Sequence, residues 1–300
     1  MGPRVGVVIV TFNSARHLPG LFASLDAAAP GLDLTCVVVD NDSTDQTLTI
    51  AEAAGFPAIV TGGNLGFAAG LNAGRAHLAR TVGPVEALAF LNPDLVLTPG
   101  SLTRLVTALA DGPGIGVVVP RIRRGDGLRD QSLHREPSLP RAVADAVLGG
   151  QFAGRWGTTV RDDAAYERAG DVDWASGAAW VVSGRCDADV GDWDESFFLY
   201  SEEVDYARRV RERGWRVRFL PDAEVVHEGG GSGRSEALEA LQAVNKVRDY
   251  GRRHNRATTL AYRAVLVAHH AARVHHPTSR HVAQVLARRH TWSSLPRATR

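Results

Sequence analysis

Val5-Gly-Val-Val-Ile-Val-Thr-Phe12 is an unbroken apolar run of strand length that stops at Asn13-Ser14. A strand with one face in water would alternate apolar and polar residues, so this run predicts a strand buried on both faces of a sheet. The pattern recurs along the first 120 residues. Asn13-Ser14 is expected to cap a helix carrying Leu18, Leu21, Phe22 and Leu25. Leu34–Asp40 reads as a second strand, and Ser43-Thr-Asp45 opens a second helix reaching about Ala54. Pro57–Val60 and Glu86–Leu91 follow as strands, separated by a helix over Phe67–Ala79. A helix over Pro99–Ala110, with Pro at its start, leads to a fifth strand at Gly116–Pro120. This βαβα succession predicts an α/β protein with a parallel sheet covered by helices on both faces.

Four of these strands run straight into polar clusters: Thr11-Phe12-Asn13, Asp40-Asn41-Asp42-Ser43, Gly63-Asn64-Leu65-Gly66-Phe67 and Asn92-Pro93-Asp94. In a parallel sheet all four open on the carboxyl edge, where such sheets bind ligands. A turn accounts for any one of them alone; four polar, Gly-rich clusters on one edge point to a site. Asp40 and Asn13 suit hydrogen bonds to a base or ribose, and Gly63 and Gly66 suit close backbone approach to a ligand. Asp94 suits a hard divalent cation that shares its shell with diphosphate oxygens. The glycines do not form a dinucleotide fingerprint: Gly62-Gly63-x-x-Gly66-x-x-x-Gly70 has the wrong spacing and follows the third strand, which argues against hydride transfer.

Residues 121–170 are Arg-, Gly- and Asp-rich and weakly periodic, a long excursion with one helix expected near Arg141–Leu148. Order returns at Val172–Ser183. A helix is expected over Glu202–Arg213, ended by Gly214, then short strands at Trp215–Leu220 and Ala223–His227. From Glu236 the pattern is helical, divided at Pro277. Glu202, Glu203 and Asp205 fall in a first helical turn, where the helix dipole accommodates carboxylates. The apolar Phe197-Phe-Leu-Tyr200 just before them would raise a carboxyl pKa and suit a general base near neutrality. His227, before Gly229-Gly-Gly231, is a candidate metal or phosphate ligand.

The formal net charge of +1 conceals an asymmetry: residues 229–300 hold 13 of the 34 Lys+Arg and 3 of the 33 Asp+Glu, a net +10 against −9 for the rest. A basic tail on an acidic body suggests an anionic partner, such as a phosphate-bearing acceptor, a membrane surface or nucleic acid. The apolar stripe Leu260, Ala264, Val267 and Ala271, interleaved with Arg263 and Arg273, predicts a helix lying in lipid headgroups. The same stripe also suits packing on the body or pairing in a homodimer. Cys36 and Cys186 make neither a disulfide framework nor a zinc spacing, and Cys36 is expected to be a buried free thiol. Val5–Val10 is too short for a signal-peptide core and no run approaches a membrane span, so a cytoplasmic protein, peripheral on the inner face of the membrane, is expected.

Val7–Ser14, Val37–Asp45, Gly63–Gly74 and Phe90–Asp94 resemble, in order, the serial motifs of family-2 inverting glycosyltransferases with the GT-A fold. Trp174-Ala-Ser-Gly-Ala178, Asp194–Asp205 and Gly214-Trp215 continue the likeness, which spans about residues 5–230. It is most similar to the rhamnosyltransferase-like branch that builds bacterial cell-wall and surface polysaccharides. The resemblance implies a catalytic domain over residues 1–230 and a basic helical extension over 231–300. It implies a nucleotide-sugar site of Thr11, Phe12, Asn13, Asp40, Asn41, Ser43, Asn64, Gly66, Asn72, Asn92 and Asp94. Mg²⁺ or Mn²⁺ would sit at Asp94 and His227, the acceptor at Trp174, Gly177 and Ala178, and the base at Glu203, with Glu202 and Asp205 beside it.

Two departures stand out. Asn92 replaces the first Asp of the family's Asp-x-Asp, and Glu203 replaces an Asp, which leaves the base open between Glu202 and Glu203. The implied donor is dTDP-rhamnose, with UDP-galactofuranose and UDP-glucose as alternatives. The implied acceptor is a glycan or lipid-linked glycan, with no nucleic-acid partner. A nucleotidyltransferase would carry a Gly-rich, Arg/Lys-bearing loop after the first strand, and Thr11-Phe-Asn-Ser14 has neither. A non-catalytic nucleotide-sugar-binding homologue is the other alternative.

Overall fold

The structure is a computed structural model describing residues 2–149, 152–229 and 235–299. Strand β1 (Arg4–Thr11) is buried at seven of its eight positions, as its uninterrupted apolar run requires. Val5, Val7 and Ile9 face one core with α1 (Leu18–Ala28) and α4 (Ser101–Ala110). Val8 and Val10 face the other, against α3 (Phe67–Thr81). A Cβ on Gly70 or Gly74 would lie 2.6 or 2.4 Å from a methyl of Val10 or Val8, so these glycines let α3 settle on β1. They serve packing, not a ligand.

β1 pairs in parallel with β2 (Asp33–Asp40) and β4 (Ala87–Leu91), and β2 with β3 (Ala58–Val60). The helix between β2 and β3 is α2 (Thr47–Ala53). The carboxyl ends of β1 to β4 share one edge, as expected. β5 (Leu95–Leu97) and β6 (Ile115–Arg124) come next, but β6 does not continue the parallel series. Among the described residues the sheet has nine strands, and β10 (Ala179–Ser183) lies antiparallel between β4 and β6. The sheet is therefore mixed.

The excursion after β6 holds β7 (Leu133–His134), α5 (Leu139–Val147), β8 (Gly170–Val172) and β9 (Trp174–Ala175). β7 pairs with β9 in a small second sheet, and β8 is an edge partner of β11. Helix α6 (Gly184–Val190), which the periodicity did not announce, is capped by the Ser183 hydroxyl accepting from Cys186 N–H. α7 (Glu202–Glu212) ends at Gly214, with φ +81°. The two strands expected after it are one, β11 (Arg216–His227), whose register shifts between Leu220 and Glu224. The tail forms α8 (Glu236–Gly251), α9 (Arg256–Ala271) and α10 (Pro277–Ala287). The break before α9 is made by Asn255, whose side chain accepts from Thr258 N–H. These helices build a third core with Ala142 of α5.

Some boundaries move. α1 starts at Leu18, and its first turn is preceded by the Ser14 carbonyl accepting from His17 and Leu18, so Asn13-Ser14 is not its cap. α2 starts at Thr47, because the Asp45 carboxylate turns the chain by accepting from Thr47. α4 follows Gly100 in the left-handed region, which leaves Pro99 outside the helix. Both cysteines are free; Cys186 is buried but Cys36 only partly so. The expected boundary at 230–231, with Gly230 and Gly231, lies outside the described residues. Among the described residues no helix is long and apolar enough to cross a membrane.

Candidate active site

Register brings the first cluster together. Thr11 lies opposite Asp40 in the β1–β2 ladder, and its hydroxyl donates to Asp40 Oδ1 at 2.8 Å. Asp40 also accepts from the Ser43 hydroxyl at 2.6 Å and from Ser43 N–H at 2.8 Å. Asn13 and Asp42 take positive φ, and the Asn13 side chain accepts from Thr44 N–H, so both loops close on each other. The Phe12 ring remains exposed at the rim. Asn41, buried, donates to the Gly66 carbonyl at 3.0 Å and ties in the third cluster. Gly66 has φ +92°, and a Cβ there would lie 2.2 Å from the Phe198 carbonyl oxygen. Its bareness is required by the protein's own chain. The Asn64 side chain accepts from Gly66 N–H, whereas Asn72 exchanges hydrogen bonds with the Trp193 backbone and donates to Glu195.

Asp94 and His227 meet because β5 and β11 are antiparallel with Leu95 opposite His227. His227 Nε2 lies 3.1 Å from Asp94 Oδ1, and Asp94 is 4% exposed. Burial opposes a charge on His227, but the Asp94 carboxylate and the charge of Asp130 outweigh it and raise its pKa above the ordinary value. Among the described residues no group of three or more His, Cys, Asp or Glu converges as a metal cage. One carboxylate beside one imidazole nonetheless fits a cation that completes its shell with diphosphate oxygens. The neighbouring Asn92 is held by its N–H donating to the Ala178 carbonyl at 2.8 Å.

The carboxylates at the start of α7 separate into three environments. Asp205 accepts from Arg209 at 2.8 Å and from Arg253 at 3.2 Å, so its charge is consumed in holding helices together. Glu202 is 3% exposed, and burial with the Glu203 charge pushes its pKa well up. Its Oε2 has no hydrogen-bond partner among the described residues. Glu203 is half-buried. Burial lifts its pKa to about 7 against the backbone at Ser201 and Glu203 and the Lys246 ammonium. A Cβ on Gly177 would lie 3.8 Å from Glu203 Cβ, which puts the Trp174–Ala178 turn beside this carboxyl. Trp174 stacks on His134 with ring centroids 4.0 Å apart, while the Ala178 side chain is buried in the core.

The motif reading missed what the tail contributes. Tyr200 and Ser201, both at positive φ, precede the Glu pair, and buried Asn245 of α8 donates to the carbonyls of Leu199 and Tyr200 at 3.0 and 3.1 Å. Arg208 of α7 makes a buried two-pronged pair with Asp249 of α8 at 2.7 and 2.8 Å, and Arg208 and Arg211 converge on Glu136. A polar Asn between Val244 and Val247 on a buried helical face was the one available signal.

The description glycosyl transferase family 2 matches residues 6–162. The chain is 31% identical, over 80% of its length and 81% of the relative's, to the N-acetylglucosaminyl-diphospho-decaprenol L-rhamnosyltransferase of Mycobacterium tuberculosis. It is 22% identical to Rhamnosyltransferase WbbL of Escherichia coli, over 79% of this chain and 88% of that one. Among solved structures it is similar to a mannosyltransferase from Pyrobaculum calidifontis in complex with GDP-Man and Mn²⁺. The TM-score is 0.56 at 17% identity, covering 96% of this chain and 76% of that one. That likeness concerns the fold, which is GT-A. With the sheet edge, the Asp94–His227 pair where β5 begins and β11 ends, and the carboxyl at the head of α7, these matches identify the chain as a glycosyltransferase of family 2, similar to its rhamnosyltransferases.

Proposed function

We propose that the chain is an inverting, metal-dependent rhamnosyltransferase that moves rhamnose from dTDP-rhamnose to a hydroxyl of a lipid-linked glycan. The observation that carries this is Glu203, a half-buried carboxyl with a pKa near 7 beside the Trp174–Ala178 turn. The named activity of the 31%-identical relative supports the sugar and the lipid diphosphate. Residues 1–230 form the catalytic domain and 231–300 the helical extension, and the enzyme works at the inner membrane face, where such an acceptor is found.

The Thr11–Asp40–Ser43 cluster, with Phe12, Asn13, Asn41, Asn64, Gly66, Asn72 and Asn92, shapes the donor pocket. Asp94 and His227 would hold Mg²⁺ or Mn²⁺, which when bound would supply positive charge to the departing diphosphate. Glu203 takes the proton of the acceptor hydroxyl. The oxygen attacks the anomeric carbon from the face opposite the diphosphate; the new glycosidic bond forms as the carbon–phosphate-oxygen bond breaks, and the configuration inverts. Asp205, neutralised by two arginines, keeps α7 in place, and Glu202, buried beside the base, has its pKa pushed up by burial and by the Glu203 charge.

The test is transfer from dTDP-rhamnose, UDP-galactofuranose and UDP-glucose, with and without Mn²⁺, to a water-soluble short-chain diphosphate-linked N-acetylglucosamine, read by mass spectrometry. Rhamnose in the product, lost on chelation, is expected. Nucleotide binding without turnover of any donor would make the chain a non-catalytic homologue.

A further inference from the structure

Of the ten large apolar side chains exposed among the described residues, five fall between positions 143 and 156: Val143, Val147, Leu148, Phe152 and Trp156. Val147, Phe152 and Trp156 are 76, 81 and 62% exposed. Exposed hydrophobics scattered singly need no account, but a contiguous group marks a contact surface. Helix α5 is inverted relative to an ordinary surface helix. Val143 and Val147, one turn apart, look outward, while buried Ala142 and half-buried Asp145 look inward. Asp145, the sole acid of α5, accepts from Thr158 N–H at 3.1 Å and so leaves the outer face free of negative charge.

The returning chain completes a groove of about 650 Å³ between α5 and Arg155-Trp156. Its fixed charges are cationic. Arg141 donates to the Arg155 and Gly157 carbonyls, and the Arg155 guanidinium lies over the Trp156 ring, 5.0 Å from its centroid. Arg273, at the end of α9, reaches within 3.8 Å of the Cβ position of Gly149, and Val274 beside it is also exposed. An aromatic that is apolar with a polar edge, aliphatic neighbours and a rim of arginines is the composition of a surface seated at a lipid–water boundary.

The stripe expected on α9 answers less well. Val267 packs into the tail core, and Arg263 is committed to the Leu286 and Ala287 carbonyls, so only Leu260, Ala264 and Ala271 remain outside.

We propose that the outer face of α5 and the Phe152–Trp156 return are the membrane-docking surface, with Val147, Leu148, Phe152 and Trp156 entering the headgroups of an anionic bilayer and Arg141, Arg155 and Arg273 meeting lipid phosphates. This rests on the lipid-linked acceptor proposed above. It assigns the apolar part of the membrane contact to the excursion of the catalytic half, with Arg273 as the contribution of the basic tail.

The experiment uses the full chain, the double variant Val147→Glu/Trp156→Glu and, on α9, Leu260→Glu. Each is tested by co-sedimentation with phosphatidylcholine vesicles with and without phosphatidylglycerol. Wild type and Leu260→Glu should bind the anionic vesicles, and the double variant should lose about tenfold in partitioning at an unchanged unfolding temperature. Transfer to the water-soluble acceptor should be equal in all three, while transfer to acceptor embedded in vesicles should fall about tenfold in the double variant alone. A wild type that ignores anionic vesicles, or a double variant that still binds them, overturns the proposal. So does a wild-type dimer that the double variant converts to monomer without any vesicle binding, which would make this face a contact between copies. Failure of transfer to the soluble acceptor would instead refute the rhamnosyltransferase reading and leave the vesicle result standing.

Discussion

Asn245→Leu separates holding the fold from holding Glu203, the proposed base. Asn245 is fully buried, and its amide donates to two consecutive carbonyls, Leu199 and Tyr200, at 3.0 and 3.1 Å. Those carbonyls belong to the turn in which Tyr200 and Ser201 have φ of 70° and 79°. Left-handed backbone at a non-glycine residue costs on the order of 1–3 kcal/mol and persists only where surroundings enforce it. Leucine keeps the branched outline and heavy-atom count of asparagine but is bulkier and donates nothing. Two hydrogen bonds at about 1 kcal/mol each, plus partly stranded carbonyls, give an expected loss of roughly 2–4 kcal/mol. A drop in the urea midpoint at constant m-value measures it. Glu203 follows the relaxed turn by two residues, and an ångström of misplacement costs about 10²-fold in rate. We therefore expect kcat to fall about 10–100-fold with the donor KM nearly unchanged. Asn245→Asp, equal in size but presenting lone pairs to the carbonyls, should be at least as damaging. Full destabilisation with wild-type kcat in the surviving folded enzyme would refute the positioning argument, as would a variant as stable as wild type.

Glu203→Gln should keep donor binding and lose about 10²–10⁴ in turnover, with Glu202→Gln much milder; reversed results would move the base by one residue. Because burial raises the Glu203 pKa to about 7, kcat/KM should rise as pH passes through that value, and a flat profile would count against Glu203. The same shift has a sign for stability: the raised carboxyl favours the fold below its unfolded pKa and loses that contribution as pH rises through about 7. Glu203→Gln should then unfold at higher urea than wild type at about pH 8, and the gap should close in acid. Asp94→Asn, chosen because Asp94 is buried, should abolish Mn²⁺-dependent binding of the nucleoside diphosphate by calorimetry, and His227→Ala should weaken it. Wild-type affinity in Asp94→Asn would remove the metal assignment.

The polar edge of the sheet was legible in the chain because each of its parts is contiguous. An apolar run long enough for one strand, then Thr11-Phe-Asn, Asp40-Asn-Asp-Ser or Asn92-Pro-Asp, states both the strand and what stands at its end. Parallel pairing of β1 with β2 and β4 then had to bring those ends together. Insertion of β10 between β4 and β6 was not legible, since one apolar strand carries no mark of its neighbours or its direction. Nor was the dependence of α7 on α8, where Arg208 meets Asp249 and Asn245 meets Tyr200 across more than forty residues. The sequence by itself determined which residues lie in strands and helices and which polar groups end them, because periodicity and capping are local. Only the tertiary structure decided that the Val143 and Val147 face of α5 looks outward while the tail packs inward. Hydrophobic patterning records that a face avoids water, not whether protein or lipid covers it.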